Sequence, residues 1–169
     1  MLGSSETMYV SQNTIYLATS HWPIQPLTAE NSVSSSDTET TILHKIAINA
    51  SSIDYVAQGE VPGNILNQFA MDEYNGYFRI ATTESSYNGD TYQTTNDVYI
   101  LDANLKEVSS LKNIAPGESI YAVRFLGDRA YLVTFVEIDP LFALDLSDPQ
   151  PPQGRGALKI PRYSNYLHP

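Results

Sequence analysis

Short stretches in which apolar and polar residues alternate recur along this sequence. Residues 8–19, 69–82 and 123–134 each contain two such stretches separated by a polar turn, and each segment ends on a threonine. Alternating side chains lie on opposite faces of a β-strand, whereas no stretch sustains the 3.6-residue repeat of an amphipathic helix. The pattern therefore predicts three β-hairpins and little helix.

Two of the hairpins contain the residues that tight turns require. Asn75-Gly76 and Gly127-Asp128 lie between the paired stretches, and such dipeptides adopt the positive φ of two-residue hairpin turns. On the strand before the second of these turns, alternation predicts two opposite faces. One face holds Tyr121, Val123 and Phe125, and the other holds Ile120, Ala122 and Arg124.

Two further elements follow each hairpin. The first is an apolar, strand-sized stretch, at 41–48, 97–102 and 139–146. The second ends in a proline turn, at Pro62, Pro116 and Pro161. Each unit thus contains about four strands in ~50 residues, and the approximate repeats are 8–63, 64–117 and 118–169.

Four short antiparallel strands that recur about every 50 residues are typical of a β-propeller blade. We therefore predict an all-β fold, a partial β-propeller of about three blades with four antiparallel strands per blade, in one domain over residues 1–169. The alternative is a β-sandwich with similar hairpins. Residues 20–40 and 84–96 are rich in Ser, Thr and Asn, and we predict long loops there.

The apolar members of the repeated strands form the predicted core. We expect the following residues to be mostly buried: Val10, Ile15, Leu17, Phe69, Phe78, Ile80, Val123, Phe125, Leu132, Phe135, Leu144 and Leu158. Three blades leave two terminal sheet faces without the neighbour that a closed propeller supplies. Exposed apolar faces attract partners, so we expect self-association or further blades of a longer chain.

The charge and the apolar content of the chain argue against two classes of partner, nucleic acids and membranes. The 169 residues include 19 acidic and 9 basic side chains, which give a formal charge of −10, whereas nucleic-acid binding needs a cationic face. No apolar run reaches the ~18 residues of a membrane-spanning helix, and residues 1–5 lack the basic and apolar regions of a signal peptide. We predict no nucleic-acid partner, no membrane insertion and no signal peptide within this chain.

Cysteine, histidine and glycine motifs offer little catalytic chemistry. The chain contains no cysteine, which excludes disulfides, thiolate metal sites and a cysteine nucleophile. The three histidines, His21, His44 and His168, do not stand at metal-motif spacing from one another. The sequence has neither the Gly-x-Ser-x-Gly of hydrolases nor a phosphate-binding glycine loop. We assign no catalytic residue, no cofactor and no metal.

Acidic residues are the plentiful polar groups. A glycosidase-type hydrolase needs two carboxylates ~5–9.5 Å apart, which a propeller channel is able to supply, but Asp beside a turn more often caps the backbone. The acidic candidates are Asp72, Glu73, Asp102, Asp139, Asp145 and Asp148. A calcium site rich in oxygen ligands is a further hypothesis, at Asn88, Gly89, Asp90, Asn96 and Asp97.

Two surface features concern glycans and partners. Asn49-Ala50-Ser51 is an acceptor sequence for N-glycosylation, so Asn49 is a candidate modification site. Aromatic residues in the predicted loops are able to stack on sugars or on partner side chains, although most are expected to stack on the sheet. They are Trp22, Tyr74, Tyr87, Tyr92, Tyr163 and Tyr166.

Several longer strings resemble a known family. Residues 72–83, 124–135 and 139–149 are similar to stretches of the secreted β-propeller-domain proteins of archaea and some bacteria, distant relatives of WD40 repeats. The similarity covers roughly residues 40–169, and the family's proteins are several times longer, so the chain resembles a fragment of a longer propeller. The resemblance implies secretion or a place at the cell surface, and it implies no catalytic residue.

Together these features predict a non-catalytic, extracytoplasmic binding or scaffold domain that recognises protein or carbohydrate through its propeller loops. The alternative is a hydrolase that acts on polysaccharide or peptide, with carboxylates facing the channel. Two carboxylates that converge in a pocket would favour the enzyme. Loops that carry aromatic residues around a flat acidic face would favour binding.

Overall fold

The computed structural model describes residues 6–22, 38–87, 91–135, 139–148 and 153–160. These residues form twelve β-strands and one short 3₁₀ helix, Gln68–Ala70. Within these ranges, no helix is long and apolar enough to cross a membrane. The strands are β1 (Glu6–Val10), β2 (Thr14–His21), β3 (Thr40–Ile48), β4 (Ile53–Pro62), β5 (Met71–Tyr74), β6 (Tyr77–Tyr87), β7 (Tyr92–Leu101), β8 (Glu107–Ile114), β9 (Ser119–Leu126), β10 (Arg129–Phe135), β11 (Asp139–Asp145) and β12 (Gln153–Ile160).

The strands form three separate four-stranded sheets, which we name blades A, B and C. Blade A has the order β1-β2-β3-β4, blade B the order β5-β6-β7-β8, and blade C the order β9-β10-β11-β12. All neighbouring strands within a blade are antiparallel. The predicted all-β fold of three four-stranded blades is confirmed, and three sheets do not fit the two layers of a sandwich.

Blade B lies between the other two blades and buries both of its faces. One hydrophobic cluster joins blades A and B and includes Tyr16, Leu43, Phe78, Ile80 and Tyr99. A second cluster joins blades B and C and includes Ala81, Val98, Ile100, Leu132 and Leu144. Alternate residues of β7 enter different clusters, and as a result the whole run from 96 to 101 is buried.

Each described connection between two blades contains a glycine with a positive φ. Gly63 follows blade A with a φ of 81°, and Gly117 follows blade B with a φ of 87°. The Gly63 N–H donates to the Glu39 carbonyl at 2.7 Å, and the Gly117 N–H donates to the Thr94 carbonyl at 2.7 Å. A Cβ on Gly63 would lie 2.6 Å from a backbone oxygen of β6, so the connection after blade A needs glycine both for its φ and for space.

The buried Asn96 side chain ties blade B to blade C. Its Nδ2 donates to the carbonyls of Ile114 and Glu118, each at 2.9 Å. Its Oδ1 accepts from the Thr83 hydroxyl at 2.8 Å and from the Ile120 N–H at 3.1 Å. Because these partners belong to β6, β8, β9 and the connection before β9, one amide fixes the path of the chain from one blade to the next.

The predicted core is correct for the middle of blades B and C and partly wrong elsewhere. Phe78, Ile80, Val123, Leu132 and Leu144 are buried, and Ile15, Leu17 and Phe125 are half-buried. The predicted burial of Val10, Phe69 and Phe135 is wrong, because all three are exposed. The side chain of Leu158 lies outside the described part of the chain.

The orientation of blade A explains much of this difference. Tyr16 and Ala18 face blade B, and the alternate residues Ile15 and Leu17 therefore lie on the opposite face. Val10 pairs with Ile15 across the sheet and shares that face. Among the described residues, no blade packs on this side of blade A.

A β-bulge corrects the predicted faces of β9. The register between β9 and β10 shifts by one residue at Tyr121. The extra residue moves Ile120 to the face of Val123, and both side chains are buried between blades B and C. Tyr121 is exposed, so its predicted place beside Val123 is wrong.

The predicted loop at 84–96 is largely strand. The pairing of β6 with β7 continues from Glu84↔Thr95 to Tyr87↔Tyr92, so the hairpin extends almost to its tip. Threonine and tyrosine have polar groups but favour β-strands. The prediction of a loop from the polar composition was therefore wrong. For the predicted loop at 20–40, β2 continues to His21 and β3 begins at Thr40, and residues 23–37 lie outside the described ranges.

Candidate functional site

The first strands of the three blades meet around a pocket of about 440 Å³, which we name the hub pocket. Strands β1, β5 and β9 each form one edge of their blade, and all three contribute side chains to this pocket. The pocket therefore lies where the first strands of the three blades meet. The lining residues are Met8, Tyr9, Val10, Gln68, Phe69, Met71, Asp72, Arg124 and Phe125.

A buried ion pair supports one wall of the hub pocket. The Arg79 side chain is almost fully buried, and its Nε donates to Asp72 Oδ2 at 3.0 Å, while its Nη2 contacts the same oxygen. Its Nη1 donates to the Gly127 carbonyl at 2.7 Å. The guanidinium also lies 4.8 Å from the Tyr74 ring centre and 5.1 Å from the Phe125 ring centre. Arg79 therefore neutralises Asp72 and joins blade B to blade C.

The mouth of the hub pocket carries an aromatic ring covered by a cation. The Arg124 guanidinium lies 3.6 Å from the centre of the Phe69 ring, which is within the range of a cation–π contact. Asn67 positions this ring, because its Oδ1 accepts from the Phe69 N–H at 2.9 Å and caps the 3₁₀ helix. With 39% of Phe69 exposed, the pocket presents apolar surface next to positive charge.

A second, more open pocket of about 430 Å³ lies between blades A and B, beside the hub pocket. Glu73 lines it, and Glu73 Oε2 accepts from the Ser11 hydroxyl at 2.5 Å. The Glu73 N–H donates to the Tyr9 hydroxyl at 3.1 Å. Burial, and then the neighbouring Glu73 carboxylate, raise the pKa of Tyr16 well above its usual value. These contacts hold blade A against blade B.

The pKa of Tyr99, which lies in the same hydrophobic cluster between blades A and B, is raised in the same way. Burial raises it first, and the Asp97 carboxylate adds to the effect. The Tyr99 hydroxyl donates to Asp97 Oδ2 at 2.8 Å, and Asp97 Oδ1 accepts from the Asn113 N–H at 2.8 Å. Asn113 has a positive φ of 61°, so Asp97 stabilises an unusual backbone conformation in β8.

Two of the acidic candidates cap turns. Asp102 Oδ1 accepts from the N–H groups of Asn104 and Lys106, at 2.8 and 2.9 Å. Asp145 lies at the end of β11, as Asp102 does after β7, and its Oδ1 accepts from the Ser147 N–H at 2.9 Å. Both are Asx-type turns that satisfy local backbone donors.

The remaining acidic candidates do not form a converging pair in the described structure. Asp72 and Glu73 are consecutive on β5 and therefore point to opposite faces, where Arg79 and Ser11 bind them. The Asp139 side chain lies outside the description, and Asp148 is exposed. The arrangement around the hub pocket is suited to binding, because its carboxylate is already neutralised by an arginine.

The candidate metal ligands are not brought together where the structure describes them. Asn96 and Asp97 are buried on opposite faces of β7 and hold backbone groups, while residues 88–90 lie outside the described ranges. His21 is exposed, and His44 Nδ1 lies 2.9 Å from the Tyr55 hydroxyl; His168 is outside the description. No group of three or more potential ligands occurs within the described residues.

The candidate surface residues fall at separate places. Asn49 is exposed in the turn between β3 and β4, where its N–H donates to the Ser52 carbonyl at 2.9 Å. Trp22, Tyr74 and Tyr92 are exposed, whereas the side chains of Tyr87, Tyr163 and Tyr166 are not described. Glycosylation at Asn49 stays a prediction.

Sequence reasoning missed Arg79 and Arg124 as site residues. A signal for Arg79 was present, because the two-residue turn at Asn75-Gly76 pairs Asp72 directly with Arg79 and thus places opposite charges side by side in an apolar hairpin. The Arg124–Phe69 contact joins blade C to the 3₁₀ helix, and no local pattern predicts it.

Comparison with known proteins gives one family and two uncharacterised relatives. A family model described as a beta propeller domain matches residues 1–169. An uncharacterised protein of Methanocaldococcus jannaschii is 52% identical over 122 residues, which are 72% of this chain and 19% of that protein. An uncharacterised protein of Archaeoglobus fulgidus is 45% identical over 128 residues, which are 75% of this chain and 20% of that protein. The chain spans about a fifth of the length of these relatives.

Proposed function

The chain belongs to the beta propeller domain family, and on this premise we propose that it is a non-catalytic domain that binds a protein segment in the hub pocket, outside the cytoplasm. A binding or scaffold role is general for such domains. The rigid, doubly packed blade B supports this role, because ligand sites depend on elements that hold their side chains in place.

The hub pocket is the observation that carries the proposal. Its volume of about 440 Å³ lies within the range of small-ligand and side-chain pockets, ~300–1,000 Å³. Met8, Val10 and Phe69 supply apolar surface, and Arg124 supplies positive charge. An extended protein segment with an apolar side chain beside an acidic one fits this chemistry.

Carbohydrate is the less favoured ligand. Sugar binding commonly uses exposed aromatic faces, but the Arg124 guanidinium already covers one face of the Phe69 ring. Tyr74 lies at one end of the 11-residue strand β6, and Tyr92 pairs with Tyr87 at its other end. These two exposed rings are therefore too far apart for one small sugar, since a strand rises about 3.3 Å per residue.

The hydrolase alternative has less support than binding. Asp72 is neutralised by Arg79, Glu73 is bound by Ser11, and Asp102 and Asp145 cap turns. A glycosidase needs one carboxyl group that keeps its proton and a second that acts on the opposite side of the bond. Within the described residues, these groups instead hold the blades and turns together.

A location outside the cytoplasm and assembly with further blades belong to the same proposal. The resemblance to secreted propeller proteins supports the location. The length of the two relatives, about four times that of this chain, supports the presence of further blades in a longer protein.

Paired arrays test the choice of ligand. Labelled protein is applied to an array of 15-residue peptides and to an array of oligosaccharides, and the same is done with Phe69→Ala, Arg124→Gln and the control Tyr92→Ala. We expect binding to peptides that combine apolar and acidic residues, loss of that signal in the first two variants, and an unchanged signal in the control. Binding to oligosaccharides alone, or peptide binding that all three variants retain, would refute the proposal.

A further inference from the structure

The pocket of about 430 Å³ beside the hub pocket contains a carboxylate that no cation neutralises, and we name it the Glu73 pocket. It lies between the β1–β2 turn of blade A and the β5–β6 hairpin of blade B. Glu73 Oε2 accepts from the Ser11 hydroxyl at 2.5 Å. Among the described residues, no lysine, arginine or histidine forms an ion pair with Glu73. The pocket therefore carries one uncompensated negative charge.

The preceding residue, Asp72, has a different environment. Asp72 lines the hub pocket and is neutralised by the buried Arg79. Glu73 points to the opposite face of β5, where the hydroxyls of Ser11 and Tyr16 bind its carboxylate. Burial raises the pKa of Tyr16, and the Glu73 carboxylate raises it further, so the Tyr16 hydroxyl keeps its proton and remains a donor. Neutral hydroxyls hold the carboxylate in place without cancelling its charge.

The internal repeat shows that a carboxylate is not what packing selects at this position. The corresponding residues of the three hairpins each pair with the residue four before the closing threonine, and they are Val10, Glu73 and Phe125. Phe125 packs against the hydrophobic cluster between blades B and C. Blade B instead places a charged group on the face that meets blade A, where removal from water is costly. A bound cation would offset this cost.

The rim of the Glu73 pocket favours one kind of cation. Gln12, Asn13 and Asn75 line the pocket and are exposed, and each has an amide oxygen that accepts hydrogen bonds. An ammonium group donates three hydrogen bonds in different directions, so a carboxylate with amide oxygens around it suits this group. A guanidinium binds both oxygens of a carboxylate side by side, but the Ser11 hydroxyl already occupies Oε2 of Glu73. The chemistry therefore fits lysine better than arginine.

We propose that the Glu73 pocket binds the ammonium group of a lysine in the same protein segment that fills the hub pocket, so that Glu73 determines specificity. This inference rests on the proposed binding at the hub pocket and adds a second contact to it. Tyr9 lines both pockets, and Asp72 and Glu73 are consecutive, so the two pockets lie on either side of one strand. An extended segment rises about 3.3 Å per residue, and a lysine within about four residues of the apolar and acidic pair is able to reach Glu73.

Peptides in three versions test this proposal. Each 15-residue peptide contains an apolar residue beside a glutamate, and one further position close to this pair carries lysine, glutamine or glutamate. Fluorescence anisotropy measures the affinities. The wild-type protein should bind the lysine version at least ~10-fold more tightly than the glutamine version, and added salt should reduce the difference. Glu73→Gln should remove the difference and leave the affinity for the glutamine version unchanged.

Glu107→Gln is the matched control. Glu107 is exposed on β8, and its carboxylate also accepts from a serine hydroxyl, that of Ser110 at 2.8 Å. This substitution removes the same formal charge away from both pockets and should leave the preference for lysine unchanged. Glutamine at position 73 still offers an acceptor to Ser11, and circular dichroism with thermal unfolding of each variant confirms that the fold is intact.

Three results would overturn the inference. They are equal affinity of the wild-type protein for the lysine and glutamine versions, a lysine preference that Glu73→Gln retains, and an equal loss of preference in Glu107→Gln, which would trace it to the net charge of −10. Phe69→Ala separates this inference from binding at the hub pocket. If Phe69→Ala weakens all three versions and no version is preferred, the Glu73 pocket alone is refuted. If Phe69→Ala changes nothing while Glu73→Gln removes the lysine preference, the hub pocket alone is refuted, and if no version binds, both are refuted.

Discussion

Asn96→Ala is the substitution that tests most sharply how the blades are joined. The amide is fully buried and makes four short hydrogen bonds, to the carbonyls of Ile114 and Glu118 and from Thr83 and Ile120. Alanine preserves the strand but removes both donors and the acceptor. No apolar group takes their place, so the buried Ile114 carbonyl and the half-buried Glu118 carbonyl lose this partner.

The expected loss follows from those unpaired groups. Each buried polar group that loses its partner costs about 1–3 kcal/mol, so two carbonyls give a total loss of roughly 3–5 kcal/mol. The Ile120 N–H is affected less, because it retains the Thr83 hydroxyl at 3.3 Å. For a domain of this size, such a loss lowers the unfolding midpoint by roughly 10 °C.

Urea and thermal unfolding followed by circular dichroism measure this loss. Asn104→Ala is the matched control, because Asn104 is exposed in a turn, and exposed substitutions usually change stability by less than ~0.5 kcal/mol. Asn96→Asp adds a pH test. The introduced carboxylate would face two carbonyls, which raises its pKa in the folded state, so this variant should gain stability as the pH falls.

A loss below about 1 kcal/mol for Asn96→Ala would refute the reasoning. It would mean that the connection between blades B and C is fixed by apolar packing alone. An Asn96→Asp variant with the same stability at pH 4 and pH 8 would contradict the claim that the amide donates to two carbonyls.

Three further predictions concern other parts of the chain. Gly63→Ala should destabilise the fold by about 2 kcal/mol or more in urea unfolding, because a positive φ and a contact of 2.6 Å oppose a side chain there; no change would contradict this. The raised pKa of Tyr99 favours the neutral phenol in the folded state, so stability should be constant below the usual tyrosine pKa of 10.0 and fall above it; absorbance at high pH should show the ionisation of Tyr99 only with unfolding, and ionisation before unfolding would contradict this prediction. Expression of the exported chain in a host that performs N-glycosylation should add a glycan mass at Asn49 that Ser51→Ala removes; an unmodified Asn49 would exclude the site in that host.

The features that depend on neighbouring residues in the chain, the hairpin turns and the number of strands per blade, were predicted from the sequence. The turn at Asn75-Gly76 fixed the pairing of β5 with β6, and the repeated apolar stretches predicted four strands per blade. The local sequence pattern does not predict the bulge at Tyr121. An extra residue in β9 is recognised only when β9 is aligned with its partner strand β10. The strand at 84–87 was missed because turn-rich composition outweighed the β-propensity of threonine and tyrosine.

The candidate site was predicted less well because it depends on contacts between blades. Phe69 was expected in the core, yet it lies at the mouth of the hub pocket beneath Arg124, a residue more than 50 positions away in the chain. The burial of Tyr16 in place of Ile15 depends on which face of blade A meets blade B. From the sequence alone, either apolar face of blade A could form the core. The face that is buried is decided by how blade A packs against blade B.

Calorimetric titration of one array-selected peptide, with mass spectrometry of the recovered peptide, tests the central claim most directly. The account predicts one peptide bound per chain, an intact peptide after the titration, and affinity at least ~10-fold weaker for Phe69→Ala and Arg124→Gln, which is about 1.4 kcal/mol, with Tyr92→Ala unchanged. A cleaved peptide would contradict the non-catalytic role, and equal affinity in all variants would contradict binding at the hub pocket.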